Sequence, residues 1–251
     1  MMPEDRAVIR AVIVDDEELA RAVLCEFLAA HPDIEIVATC ANGFEAVKAV
    51  AELTPDLLFL DVQMPKLDGF EVLELIGNEV VVIFVTAYDE FALRAFEVHA
   101  VDYLLKPFSA ERLAEALSHA RGHLARRDRL PVKAVVAAAR PQEGPAERIL
   151  VRDGSKVHVI AVDRLDYVQA QDDYVCLYSE GKGYLKEQTL ADLETILDPN
   201  RFVRIHRSYI LNIERLTQVE PYGKDSRLAI LRDGTRLPVS RTGYARLGEL
   251  L

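Results

Sequence analysis

The chain has 251 residues, 50% of them hydrophobic and 28% charged, with a formal net charge of -11; this is a folding composition with length enough for two separate cores. Its longest apolar run, "VVVIFVTA" at 80–87, is far too short to span a bilayer, and "MMPEDRAVIR" lacks the apolar core of a signal peptide, so a cytosolic protein with no membrane role is expected. Cys25, Cys40 and Cys176 show no C-x-x-C spacing and sit among apolar residues, which reads as structural thiols and offers neither a disulfide framework nor a metal knuckle.

The charge is unevenly spread: residues 1–125 carry -14, residues 126–145 carry +3, and residues 146–251 sum to zero. The total gives nucleic-acid binding no support by itself, although a neutral second half still permits a local basic patch.

From residue 8 onward, apolar runs "VIRAVIV", "IEIVA", "DLLFL", "VVVIFV" and "VDYLL" alternate with amphipathic stretches such as "EELARAVLCEFLAA" and "GFEAVKAVAEL". Continuous apolar strands between helices predict a five-stranded, doubly wound parallel sheet covered on both faces, an α/β domain over 1–125. Residues 126–147, rich in Arg, Ala and Pro, read as a linker that prolongs the preceding helix before it frays. Over 148–251, short β-branched and aromatic segments recur every eight to twelve residues, separated by turn sequences "RDGSK", "SEGKG", "YGKDS" and "RDGT". This predicts a mainly antiparallel β domain with one helix near "TLADLETIL".

Polar residues stand where the strands of the first half stop: Asp15 and Asp16 after "AVIV", Asp61 after "LLFL", Thr86 after "VIFV" and Lys106 after "DYLL". A lone Asp or Thr in such a place commonly starts a turn or caps a helix; five in order at four strand ends are better explained by the ligand crevice of an open α/β sheet. Three carboxylates brought together repel by roughly 1 to 4 kcal/mol per pair at about 4 Å, so a cation is expected. Oxygen-only ligands without His or Cys favour Mg2+. With Lys106 and Thr86 suited to phosphoryl oxygens, Asp61 reads as the nucleophile of a phosphoryl transfer.

The spacing "VDDE", "LDVQMPKLDG", "VTAY", "DYLLKPF" resembles the receiver domain of two-component response regulators over residues 8 to about 122. The resemblance implies a flavodoxin-like fold in which Asp61 accepts phosphate from a sensor histidine kinase. It also implies that Asp16, Asp61 and the Gln63 backbone carbonyl bind Mg2+ with support from Asp15, and that Thr86 and Lys106 hold the phosphoryl oxygens. Lys106–Pro107 is expected cis, and Tyr103 matches the family's switch aromatic. The segment "YDEFALRAFEVHAVDYLLKPF" matches the one such regulators use to dimerise on activation, and the positions of Gln63 and Tyr88 are those on which phosphate lifetime depends. Aspartate-nucleophile phosphohydrolases carry an acid two residues beyond the nucleophile; here that position is Gln63, so turnover of outside phosphoesters is not expected and the chain reads as no enzyme.

"RFVRIHRSYI" at 201–210 gathers Arg201, Arg204, His206 and Arg207 in a strand-like segment. As one strand of period two, it would bury Val203, Ile205 and Tyr209 and release its cations near His206–Arg207. A solvated edge strand whose charges discourage aggregation is the plain alternative. The segment "RFVRIHRSYILNIERL" with "LPVSRTGYARL" is similar to LytTR-type DNA-binding domains, over about 148 to 251. That resemblance implies loops entering the major grooves of paired repeats in double-stranded DNA, with contacts from His206, Arg207 and Arg241 and, in a third loop, from Tyr174 beside Asp172 and Asp173. Arg207 and Arg241 suit guanine O6/N7; Arg204, Arg201 and Lys186 read as phosphate contacts or surface charges. The expectation from these residues is a phosphorylation-controlled transcription regulator; a β domain that binds protein or small ligand is the alternative from another class.

Overall fold

The structure is a computed structural model that describes residues 8–77, 80–87, 100–126, 144–222 and 226–250. Tyr88 and most of the expected dimerisation segment, at 88–99, lie outside the described residues, as does the interior of the expected linker, 127–143. The chain divides into two compact units.

The first unit is a parallel sheet of β1 (Ile9–Val14), β2 (Ile34–Cys40), β3 (Leu57–Leu60), β4 (Val81–Thr86) and β5 (Asp102–Leu105), in the order β2-β1-β3-β4-β5. Helices α1 (Glu18–Leu28), α2 (Gly43–Leu53), α3 (Gly69–Ile76) and α4 (Ala110–Arg126) cover it. The strands read as unbroken apolar runs because both faces are covered: all four residues of β3 are fully buried. On one face Ile13, Phe59, Ile83 and Leu104 pack with Leu24 and Leu28 of α1 and Leu113 and Leu117 of α4. Each such side chain contributes about 1.5–3 kcal/mol on burial. Because β2 and β3 lie on opposite sides of β1, the chain order reverses there, and the crevice beyond the carboxyl ends of β1 and β3 is the expected ligand position.

Two local devices hold that crevice. Asp68 and Glu71 form a capping box at the start of α3, and the helix begins so close to the β3 loop that a Cβ at Gly69 would lie 2.4 Å from the Asp61 carbonyl oxygen. On the other side, Arg112 of α4 pairs with the buried Asp102 and donates to the Tyr103 carbonyl at 2.9 Å, tying α4 to β5. Burial alone would raise the Asp102 carboxyl, but Arg112, the Tyr103 N–H and His119 outweigh it and hold it below the ordinary carboxylate range.

Ile149 and Val151 of β6 (Arg148–Asp153) and Ile160 of β7 (Lys156–Ala161), two strands paired as a ribbon, belong to the core of the second unit, which also holds an antiparallel sheet. In spatial order the sheet is β10 (Lys182–Lys186), β9 (Tyr174–Ser179), β8 (Leu165–Gln171), β12 (Tyr209–Asn212) and β11 (Phe202–His206). A second sheet follows: β13 (Leu216–Tyr222), β14 (Ser226–Leu231) and β15 (Arg236–Val239). Helix α5 (Leu190–Ile196) forms where "TLADLETIL" predicts it, opened by a Thr189–Asp192 capping box. A second helix, α6 (Arg241–Gly248), was not anticipated. Its eight residues, with two glycines among them, are too short and weak to declare themselves in sequence; tertiary packing forms it.

The segment 201–210 also differs from the single strand expected. β11 stops at His206, Arg207 and Ser208 turn, and Tyr209 opens β12, so Tyr209 does not share a strand with Val203 and Ile205. Neither turn residue has a positive φ, so the hairpin needs none of the Gly or Asn that would advertise it. The register shifts between Arg204 and His206, leaving Ile205 as the extra residue of a bulge. Its carbonyl leaves the ladder and accepts both the Ser240 N–H at 2.9 Å and the Ser240 hydroxyl at 3.1 Å. Ser240 caps α6 by accepting from the Gly243 N–H, and Gly243 lies against the same carbonyl: a Cβ there would stand 1.9 Å from the Ile205 oxygen.

Gly243→Ala is therefore expected to destabilise the second unit by about 1–3 kcal/mol or more, since rigid backbone must move. Hydrogen exchange on the full chain reads this directly: the amides of β11 and β12 lose protection, whereas unchanged protection would show that α6 is not seated on Ile205.

Candidate functional site

Four of the five strand-end residues of the first unit meet, and the fifth, Thr86, is tied to Lys106 through its carbonyl, which accepts the Lys106 N–H at 2.8 Å. The carboxylate oxygens of Asp15, Asp16 and Asp61 lie within 4.8 Å of one another. The Lys106 ammonium enters between two of them, 2.5 Å from Asp15 Oδ2 and 3.0 Å from Asp61 Oδ2. Asp15 and Asp61 are buried and Asp16 is exposed. The other oxygens are held by the loops: the Glu17 N–H donates to Asp15 Oδ1 at 3.0 Å and the Gln63 N–H to Asp61 Oδ1 at 3.3 Å. The Lys106–Pro107 peptide is cis, and Tyr103 on β5 is buried. One contributor was missed in sequence: Arg21 of α1 donates to the Asp15 carbonyl at 2.7 Å, fixing the loop that carries both aspartates. Its signal, a lone basic residue in a first helical turn, is too common to single out.

Charge in this crevice is incomplete. Three carboxylates face one ammonium. Burial pushes the Asp15 carboxyl up, outweighing its hydrogen bonds from Lys106 and Glu17. Burial also draws the Lys106 ammonium down, but hydrogen bonds to Asp15 and Asp61 and their charges more than offset it, so the lysine stays cationic. The donor set is all oxygen and two formal charges short of neutral, which fits a hard divalent cation such as the Mg2+ that receiver domains generally bind. The Thr86 hydroxyl at the end of β4 is fully buried and has no hydrogen-bond partner among the described residues.

In the second unit, strand register brings the sequence-derived contact residues to one end. The Ala170 N–H donates to the Ser208 carbonyl at 2.9 Å, placing the Asp172–Asp173 turn that follows β8 beside the Arg207–Ser208 turn. The Ser240–Ile205 hydrogen bonds bring the start of α6, with Arg241, to the same end. Asp172 has φ 50°, and Tyr174 just after the turn is 47% exposed. The Ser208 N–H donates to His206 Nδ1 at 3.2 Å, which leaves the ring proton on Nε2 as an outward donor. Burial, then the Arg207 charge, keeps the His206 imidazole below its ordinary pKa and hence neutral at pH 7.

The cations sort into two groups. Arg207 and Arg241 have no ion pair or hydrogen-bond acceptor for their guanidinium groups among the described residues. The others are engaged: Arg201 with Glu214 at 3.0 Å, Lys186 with the Leu150 carbonyl at 2.8 Å, and Arg204 with Glu194 at 3.3 Å and the Arg207 carbonyl at 3.1 Å. Four neighbours were missed in sequence, Thr242 among them. Glu194, Ser240 and Arg246 line a 380 Å³ cavity with Arg204, His206 and Arg207. Only tertiary packing joins α5, β11 and α6, so no local pattern marks that grouping.

No described helix is long and apolar enough to cross a membrane. The profile of the response regulator receiver domain matches residues 11–118, and that of the LytTr DNA-binding domain matches residues 155–251. The chain is 38% identical over 248 residues to an uncharacterized response regulatory protein of Vibrio cholerae, covering 92% of this chain and 94% of that one. It is 36% identical to the transcriptional regulatory protein BtsR of Escherichia coli K12 and 32% identical to the sensory transduction protein LytT of Bacillus anthracis. Each of those two matches covers 97% of this chain and 99% of the relative. Relatives that align along nearly the whole length, and two profiles that fall one on each half, leave one assignment: the chain belongs to the two-component response regulators of the LytTR family, which are transcription regulators and not enzymes.

Proposed function

We propose that residues 1–125 act as a phosphoacceptor, residues 126–147 as a linker and residues 148–251 as a DNA reader whose occupancy follows phosphorylation of Asp61. In the first step an Asp61 carboxylate oxygen forms a P–O bond as the P–N bond to a kinase phosphohistidine breaks. Lys106, already 3.0 Å from Asp61 Oδ2, is placed to neutralise the transferred oxygens. Thr86 carries this reading. A buried hydroxyl without a partner costs roughly 1–3 kcal/mol, and a phosphoryl oxygen would supply the missing acceptor. Asp15, Asp16, Asp61 and the Gln63 carbonyl would hold Mg2+, which when bound shields the phosphoryl oxygens from the carboxylates. Phosphate adds about -1.5 to -2 charges to the crevice, drawing Thr86 and Lys106 inward and, through Tyr103 on β5, the strand that Lys106 follows, favouring a homodimer.

The second unit would then bind paired DNA repeats in the cytosol, one subunit on each. Arg207 and Arg241, free of acceptors among the described residues, suit guanine O6/N7; His206 offers a neutral Nε2–H to a base acceptor. Tyr174 would stand at the rim, where Asp172 and Asp173 oppose phosphate. Arg204 would shape the turn through the Arg207 carbonyl as well as face the backbone.

Incubation with a small-molecule phosphoryl donor and Mg2+ is expected to add one phosphoryl group by intact mass. Asp61→Asn should abolish the addition, and Thr86→Ala should retain it but lose the downstream dimerisation seen by sedimentation. Phosphorylation of Asp61→Asn to the same extent would move the acceptor elsewhere. Selection from a random duplex pool should enrich a paired motif. On that motif Arg207→Ala should weaken binding by about 10- to 100-fold, the worth of one bidentate base contact. His206→Ala should cost roughly tenfold and His206→Gln, which keeps a donor, much less, with little change between pH 7 and 8. Failure to enrich any motif would assign the β domain to a protein or small ligand.

A further inference from the structure

Apart from Asp172 and Asp173 in their turn, the proposed DNA surface holds an acidic side chain in its cavity. Glu194, in the lining of the 380 Å³ cavity, sets its two carboxylate oxygens against two different arginines: Oε2 to Arg204 of β11 at 3.3 Å and Oε1 to Arg246 of α6 at 3.4 Å. The rest of the lining is cationic or hydroxylic apart from the neutral His206 imidazole, with Arg207 and Thr242 open to the same space. A carboxylate forked between guanidinium groups is the arrangement a DNA phosphate would take there. Both bonds are long and both partners are partly solvated, with the Glu194 side chain 40% exposed and that of Arg246 56% exposed. Screened pairs of this kind stabilise little and open readily.

We propose that Glu194 is a built-in competitor for the DNA backbone: its carboxylate occupies a phosphate position between Arg204 and Arg246 and must yield when duplex binds. This rests on the DNA-reading assignment above and adds a specificity-determining residue to it. By occupying two arginines that would otherwise grip any phosphate, Glu194 suppresses sequence-independent binding. Only a site whose base contacts with Arg207 and Arg241 are satisfied holds the duplex long enough to displace it. The element that carries it, α5, is fixed by its capping box and by Leu190 and Leu193 in the core, so the carboxylate is presented from a rigid support.

The test compares the full-length parent with Glu194→Gln and Glu194→Ala on the enriched duplex and on a random-sequence duplex, by fluorescence anisotropy across a salt series. Both variants are expected to bind random duplex about tenfold tighter at low salt and with a log–log salt slope steeper by about 1 to 2, one unit per phosphate gained. The enriched duplex should gain less, so the ratio between the two narrows. Adding Arg246→Ala to Glu194→Gln should return the slope toward the parent's, and Glu220→Gln, which removes an equal charge outside the cavity, should leave it unchanged. Unaltered slopes in both Glu194 variants while Arg207→Ala still loses binding would overturn the competitor and keep the DNA reading. Weaker binding of the enriched duplex would also overturn it, by making Glu194 a direct base contact. Failure of the parent to bind any duplex would remove both.

Discussion

The Lys106 ammonium held between Asp15 and Asp61 sets the terms for the first unit. Among the described residues it is the one cation that the sheet brings into a crevice of three carboxylates, and it reaches them because β5 ends beside β4 while β1 and β3 end across the same edge. The Lys106 N–H donates to the Thr86 carbonyl at 2.8 Å, so the residue that carries the charge is also bonded to the residue that carries the idle hydroxyl. A change of charge on Asp61 therefore acts on both at once. The crevice is net negative, and the Thr86 hydroxyl at the end of β4 is a buried donor without an acceptor among the described residues; the proposed function would complete both, with a metal ion and a phosphoryl group.

A single carbonyl plays the organising part in the second unit. The bulge at Ile205 turns that oxygen out of the β11–β12 ladder toward Ser240, and Gly243 lets α6 close upon it. One irregularity thereby orients the Arg207 turn and brings Arg241 to it. The -11 total of the chain is no obstacle to DNA binding, because the excess acid lies in the first half and the second half sums to zero. Of the cations at the end proposed to read bases, Arg207 and Arg241 have no partner among the described residues. Affinity built on few cations is modest, so two subunits on two repeats would be needed to raise it.

Much of this was legible in sequence, for physical reasons that differ between the halves. In the first, each strand is an apolar run that marks its own end, so the polar residue that follows is placed at the ligand edge without any knowledge of packing. That is why Asp15, Asp61, Thr86 and Lys106 could be grouped in advance. Arg21 was not, since its contact is with a carbonyl and depends on how α1 sits. In the second, alternation and turn residues located strands but not the Arg207–Ser208 turn, which uses ordinary backbone angles and leaves no glycine. The helix at 241–248 was missed because it forms by docking on Ile205, not by its own propensity. Lys186 and Arg201, read as phosphate contacts or surface charges, have partners that the sequence did not show, the Leu150 carbonyl and Glu214, and Glu194 entered the site from a helix remote in sequence. Charge is readable from letters; its partners are readable only from the fold.

The central claim is that chemistry at Asp61 governs DNA reading by the other unit. The most direct measurement is the dissociation constant of the full chain for its enriched duplex before and after phosphorylation of the same sample, with Asp61→Asn treated in parallel. The account predicts binding at least about tenfold tighter after treatment, equivalent to 1.4 kcal/mol of coupling, and no change in the variant. Equal affinity in the two states, with phosphorylation verified by mass, would contradict it and leave two units that share a chain without sharing a signal.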